Sequence, residues 1–154
     1  MTRVDLHVHT PYCGHASGSV EETVQHAIKQ ELQIPVIGNG DVRSVADIGA
    51  IKQRTGCDAV MIGRAAVDNP WIFSRLDREN ISLYEVQKTV LNHFEKMLSF
   101  YGERGVITFR KYLKAYLSPY PLPRQVLLSI LKSKDPKFIE NFLMTDLQLY
   151  AEES

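Results

Sequence analysis

The apolar positions of this chain change their period near residue 78. Before that point short strand-like runs alternate with helical segments, and after it the 3.6-residue spacing of amphipathic helices takes over. "RVDLHVH" (3–9) alternates apolar and polar residues and is rich in Val and Leu, which predicts a strand. "SGSVEETVQHAIKQEL" (17–32) predicts a helix capped by Ser17 or Ser19, with Glu21 and Glu22 at the positive end of its dipole and Val20, Val24, Ala27 and Ile28 on one face. "IPVIGNG" (34–40) and "CDAVMIG" (57–63) are short apolar runs stopped by glycine, the pattern of buried parallel strands. Each leads into a helix. "VADIGAIKQRTG" (45–56) is capped by Ser44 and ends on Gly56, and within "RAAVDNPWIFSRL" (64–76) Asn69 and Pro70 suit a cap and a first turn.

Four helices are predicted beyond Arg78. "SLYEVQKTVLNHFEKMLSFYG" (82–102) opens on a Ser82-x-x-Glu85 capping box and closes on Gly102. "VITFRKYLKAYL" (106–117) is stopped by "SPYPLP", and "RQVLLSILKS" (124–133) and "PKFIENFLMTDLQLYAEE" (136–153) complete a small bundle. The expected fold is therefore α/β: a partial TIM-barrel of three βα units, not closed, followed by an all-α helical bundle. Three parallel strands cannot close a barrel, which takes eight, so a small open sheet is expected, with edges that invite pairing with a second copy of the chain.

Eighteen basic and eighteen acidic residues cancel, so net charge points to no particular partner. No apolar run approaches the roughly 20 residues that span a bilayer, and "MTRVDLHV" lacks the apolar stretch of a signal peptide. Two cysteines, Cys13 and Cys57, make no disulfide framework, and a reduced, cytoplasmic protein is expected.

Local clustering says more. In "IPVIGNGDV" and "CDAVMIGRAA" glycine follows a buried strand and precedes a helix, an arrangement that leaves backbone N–H groups available to an anion. Gly38, Gly40 and Gly63 carry no side chain to block close approach, and Arg64 can add a charge-assisted hydrogen bond. A phosphate site and a pair of ordinary glycine turns are the two readings, and two consecutive units of the same design favour the first. From Arg104 to Lys134 there are seven basic residues and no acidic one, with Phe109, Tyr112, Tyr116 and Tyr120 interleaved. That stretch is either a phosphate-backbone surface for RNA with stacking aromatics, or a solvated basic face whose aromatics lie in the bundle core. His93 is expected to pack or cap locally.

"IPVIGNGDVRSVADI", "TGCDAVMIGRAAVDNPWIF" and "HFEKMLSFYGERGVITFRKYLKAYL" resemble the C-terminal part of the tRNA-dihydrouridine synthases, and the likeness covers roughly residues 33–149. The resemblance implies an FMN-binding barrel followed by a helical domain that grips tRNA, and reduction of a uridine C5–C6 bond with hydride drawn from NADPH. It implies an FMN-phosphate site at Gly38, Asn39, Gly40, Asp41, Gly63, Arg64 and Ala65, the last standing where glycine is common in the family. It also implies RNA contacts by Arg104, Arg110, Lys111, Lys114 and Arg124, and a core position for Trp71 against the last barrel helix. The family's general-acid cysteine belongs to earlier barrel strands; Cys57 opens the last strand, at the end away from the active-site face, and Cys13 belongs to a different motif.

"VDLHVHTPYCGHASGSVEETVQHAIK" (4–29) resembles instead the opening of histidinol-phosphatase-type members of the polymerase-and-histidinol-phosphatase (PHP) metalloenzymes. This implies His7, His9 and His15 as ligands of Zn, Fe or Mn; histidines two apart on a strand point the same way. The expected organisation is a PHP-like βα fragment at 1–32, the last two βα units of a flavin barrel at 33–78, and a helical tRNA-binding-type domain at 79–154. Three classes of function follow: a flavin-dependent tRNA reductase or a fragment of one, an RNA-binding module without catalysis, and the remnant of a metal-dependent phosphoesterase.

Overall fold

A computed structural model describes residues 35–151 of the chain, in two compact units. One unit holds the residues up to Ala66 together with Ile72–Arg75; the other holds Val67–Trp71 and the residues from Leu76 onward. The strand expected at 3–9 and the helix expected at 17–32 lie outside the described residues.

In the first unit β1 (Ile37–Asn39) and β2 (Ala59–Met61) pair in parallel, with Ile37 opposite Ala59, Gly38 opposite Val60 and Asn39 opposite Met61. Helix α1 (Val45–Thr55) connects them. Ser44 accepts from the Asp47 N–H while the Asp47 carboxylate takes the Ser44 N–H, a capping box, and Gly56 ends the helix in the left-handed region at φ 71°. Val42, Ile48, Ile51, Cys57 and Ile72 form the core. Gly38 is part of this packing: a Cβ there would lie 2.9 Å from Cys57 Sγ and 3.3 Å from Ile51 Cγ2. The strands were expected to be buried on both faces, and they are covered on one. Successive strand residues point to opposite sides, and on the side away from α1 Ile37 and Met61 are 60% and 52% exposed.

The helix expected over 64–76 is broken into α2 (Ala65–Asp68) and a 3₁₀ turn (Pro70–Ser74). Pro70 supplies no N–H and disfavours helical backbone at Asn69, whose buried side chain donates instead to the Leu76 carbonyl at 3.1 Å. The turn sends consecutive side chains into different cores: Ile72 is fully buried in the first unit, while Trp71 packs with the apolar residues of the second rather than against a barrel helix.

The second unit begins with a 3₁₀ turn (Arg78–Asn80) and continues as α3 (Leu83–Tyr101), α4 (Arg104–Leu117), α5 (Arg124–Lys132) and α6 (Pro136–Asn141). A π-helical turn (Phe142–Asp146) then leads into α7 (Leu147–Ala151). Ser82 caps α3 by accepting from the Glu85 N–H, Gly102 closes it at φ 58°, and Asp135 caps α6 ahead of Pro136. The core is built from Val90 and Phe94 of α3, Phe109 and Leu113 of α4, Ile130 of α5, and Leu143 and Leu147 of the C-terminal segment. The single helix expected at 136–153 is interrupted by the π turn, which disturbs the regular ladder; Gln87 Nε2 donates to the Leu143 carbonyl at 2.8 Å and to that of Met144 at 3.3 Å.

Helices α3 and α4 approach most closely at Gly105, where a Cβ would stand 2.5 Å from the Met97 carbonyl oxygen. Backbone cannot move aside as a flexible side chain can. Gly105→Ala is expected to destabilise the helical unit by about 2 kcal/mol or more, whereas Gly63→Ala, where a Cβ meets nothing within 4 Å, is expected to be close to neutral. Urea denaturation of the two variants, followed by circular dichroism, checks the contrast.

Candidate functional site

Two loops follow the strands of the first unit, and one carboxylate ties them together. Asp41 has a positive φ of 35°. Its Oδ2 accepts from Arg43 Nη2 at 2.6 Å and Nε at 3.0 Å, and its Oδ1 accepts from Arg64 Nη2 at 2.6 Å. The structure thus brings together two residues of the implied site that stand 23 apart in sequence, Asp41 and Arg64, and adds Arg43, which sequence reasoning missed. The only signal for Arg43 was its place just before the Ser44 cap. Both guanidinium groups face solvent, with side chains 76% and 83% exposed. The hydrogen bond from Arg43 and the charges of both arginines hold the Asp41 carboxyl below its ordinary value, and the same contact raises Arg43.

The remaining implied residues have distinct places. Asn39 is exposed at the end of β1, Gly40 follows it half-buried, and Gly63 is exposed with open space where a Cβ would stand. Ala65 is half-buried and packs on the core of the first unit. Gly38 is buried against Cys57, so its missing side chain serves strand–helix packing rather than access to a ligand. The helix N-termini contribute less than the sequence suggested. The Arg43 and Ser44 N–H groups already donate to the Asp47 carboxylate at 2.9 and 2.8 Å, which holds Asp47 below its ordinary value. Helix α2 has four residues, too few for a substantial dipole. An anion here would be held by the two guanidinium groups and the open backbone at Gly63, in exchange for Asp41.

In the second unit Arg104, Lys111 and Lys114 are exposed on α4, and Arg124 is exposed at the start of α5. Arg110 is separated from them. It is half-buried, and its Nη2 donates to the Lys132 and Ser133 carbonyls at 3.2 and 3.3 Å, closing the C-terminus of α5. Of the interleaved aromatics, Phe109 and Tyr116 are buried in the core and Tyr112 and Tyr120 are half-buried against it. Lys111 Nζ sits 4.6 Å from the Tyr112 ring centre. Arg78, also missed in the sequence, lies 5.4 Å from the Trp71 ring and 5.6 Å from that of Tyr120, and donates to the Tyr120 hydroxyl at 3.0 Å. His93 packs as expected: Nδ1 is 3.2 Å from the Tyr116 hydroxyl, its ring meets Phe109 and Tyr112, and burial lowers its pKa.

His7, His9 and His15 lie outside the described residues. Among the described residues no group of three or more His, Cys, Asp or Glu is placed to hold a metal ion, and no helix is long and apolar enough to cross a membrane.

The profile of the dihydrouridine synthase (Dus) family matches residues 2–144. The probable tRNA-dihydrouridine synthase of Helicobacter pylori (strain J99) is 47% identical over 91 residues, covering 58% of this chain and 28% of that protein. The tRNA-dihydrouridine synthase B of Xanthomonas axonopodis pv. citri is 40% identical over 116 residues, 70% of this chain and 35% of that protein. The corresponding Pseudomonas aeruginosa protein is 38% identical over 133 residues, 80% and 37% respectively. The chain spans about a third of the length of these relatives. The family match runs through residues 4–29 as well, so the phosphatase-type resemblance, with its metal ligands and the implied fusion of two families, gains no support.

Two outcomes test these contacts. Arg43→Ala is expected to move the Asp41 titration, followed by carboxyl-carbon NMR, back up toward an ordinary carboxylate. Because the folded value is depressed, the stabilising tie is complete above the ordinary value and is lost only as the pH falls through the lowered one. Arg110→Ala is expected to destabilise the chain by about 1 kcal/mol in thermal unfolding, from loss of hydrogen bonds to two helix-end carbonyls, whereas exposed Lys114→Ala is expected to leave stability unchanged.

Proposed function

The chain belongs to the dihydrouridine synthase family, and we propose that it is the part of a tRNA-dihydrouridine synthase that holds the phosphate of FMN and grips the tRNA. The observation that carries this reading is the pair of exposed guanidinium groups, Arg43 and Arg64, converging on Asp41 across the loops that follow two parallel strands. Two planar donors beside open backbone at Gly63 suit a phosphate, which accepts bidentate hydrogen bonds and carries more charge than the carboxylate it displaces. Arg64, with the backbone of Asn39, Gly40 and Gly63, would hold the phosphate, and Arg43 would share the load.

Bound FMN supplies the hydride chemistry, with NADPH as the source of reducing equivalents and a uridine C5–C6 bond as acceptor. This chain's contribution is binding and positioning. Cys57 is 3% exposed and packs against Gly38, so it is not the general acid. The open sheet face carrying Ile37 and Met61 is the one that preceding barrel strands would cover. Residues 33–78 would then be the last two βα units of that barrel, and 79–154 the tRNA-binding unit. Arg104, Lys111, Lys114 and Arg124 provide an exposed basic surface for the RNA backbone, and the setting is the cytoplasm.

Flavin fluorescence titration of the purified chain tests the cofactor step. The chain is expected to retain FMN, Arg64→Ala to weaken it about tenfold, and charge reversal at Lys111 and Lys114 to leave it untouched while lowering tRNA affinity. A chain that does not bind FMN, or an Arg64→Ala variant that binds it as tightly as the parent, overturns the assignment.

A further inference from the structure

The outer side of the α3–α4 pair carries an exposed aromatic ring ringed by cations. His93 of α3 meets Tyr112 of α4 with ring centres 4.7 Å apart, which fixes how the two antiparallel helices face each other. Lys96 and Phe100 lie three and seven residues beyond His93, on the same face of α3. Lys111 adjoins Tyr112, and Thr108 and Arg104 lie three and seven residues before it on the matching face of α4. The two rows run side by side toward the Gly102 turn. Glu95 and Glu103, the nearby carboxylates, fall on the far sides of their helical turns, so Lys96, Arg104 and Lys111 are the charges on these rows.

Phe100 stands among them 80% exposed, more than any other large apolar residue among the described ones. A phenyl ring contributes nothing to the core from there. It is also held in place: Tyr101 abuts it edge-on with ring centres 4.7 Å apart, and Gly102 and Gly105 fix the turn beneath. We infer that Phe100 is a stacking platform for an unpaired base of the RNA whose backbone is held by Lys96, Arg104 and Lys111. The positive surroundings select a polyanion over an apolar protein partner, and a flat ring offered to solvent is what a splayed-out base stacks upon. This rests on the tRNA reading of the helical unit and adds to it a contact of a different physical kind, one that salt does not screen.

That difference supplies the test. Binding of an unmodified tRNA transcript to the full chain is measured by fluorescence anisotropy over a range of salt concentrations. Phe100→Ala, which removes a solvent-exposed ring and leaves the core alone, is expected to weaken binding about tenfold with the salt slope unchanged. Phe100→Trp is expected to restore it. Charge reversal at Lys96, Arg104 or Lys111 is expected to lower the slope by about one each. If Phe100→Ala binds as tightly as the parent while the charge variants lose affinity, the stacking role is overturned and the backbone reading stands. If the parent chain shows no salt-dependent tRNA binding, the reading beneath both falls. If Phe100→Ala instead abolishes self-association seen by sedimentation and leaves RNA affinity alone, the ring is an interface between copies and the inference is overturned.

Discussion

The contact between Gly105 and the Met97 carbonyl sets the helical unit. With no Cβ in the way, the backbones of α3 and α4 close on each other just past the Gly102 turn. That closeness stacks Phe94 on Phe109 with ring centres 4.9 Å apart and brings His93 into the ring cluster of Tyr112 and Tyr116. Once the pair is fixed, its two outer sides organise the remaining elements. Arg110 reaches from α4 to the end of α5, and Gln87 reaches from α3 to the carbonyls of the π turn. Each of these contacts runs from a partly buried polar side chain to backbone acceptors, so each fixes a position as well as contributing energy.

In the first unit the governing feature is electrostatic. Asp41 stands in for an anion, holding two solvent-exposed arginines at the mouths of two loops. An exposed ion pair is worth little in water, so releasing Asp41 to a bound phosphate would cost the fold little, while the guanidinium groups are already gathered. The site is arranged in advance of its ligand, and the chain's neutral overall balance hides this local surplus of positive charge.

Much of the helical half was legible from sequence because its boundaries are local chemistry. Ser82 and Gly102 bracket α3, and Ser44 and Gly56 bracket α1, as the spacing predicted. The segment 64–76 was misread because apolar spacing suggested a continuous helix where Pro70 dictates a 3₁₀ turn. Gly38 shows the limit of motif reasoning: a glycine beside a ligand loop was assigned to access, yet the atoms it makes room for are Cys57 and Ile51. Arg110 shows another limit. Its helix face and charge matched those of its basic neighbours, and its actual partners, the carbonyls at the end of α5, come into reach only in three dimensions. The exposure of Phe100 was equally invisible, since an aromatic near a helix end reads as core by pattern alone.

The π turn at Phe142–Asp146 has a consequence for how this region tolerates change in length. A π turn is an α-helix that carries one residue too many, absorbed as a bulge. Deleting one residue there would restore a regular helix and rotate everything after it by about 100°. Leu147, now 1% exposed, would swing out of the core, and Tyr150 would leave its place beside Phe142. The bulge is therefore a register adjuster: it lets α6 and α7 each present an apolar side to the same core although their sequence spacing is out of step.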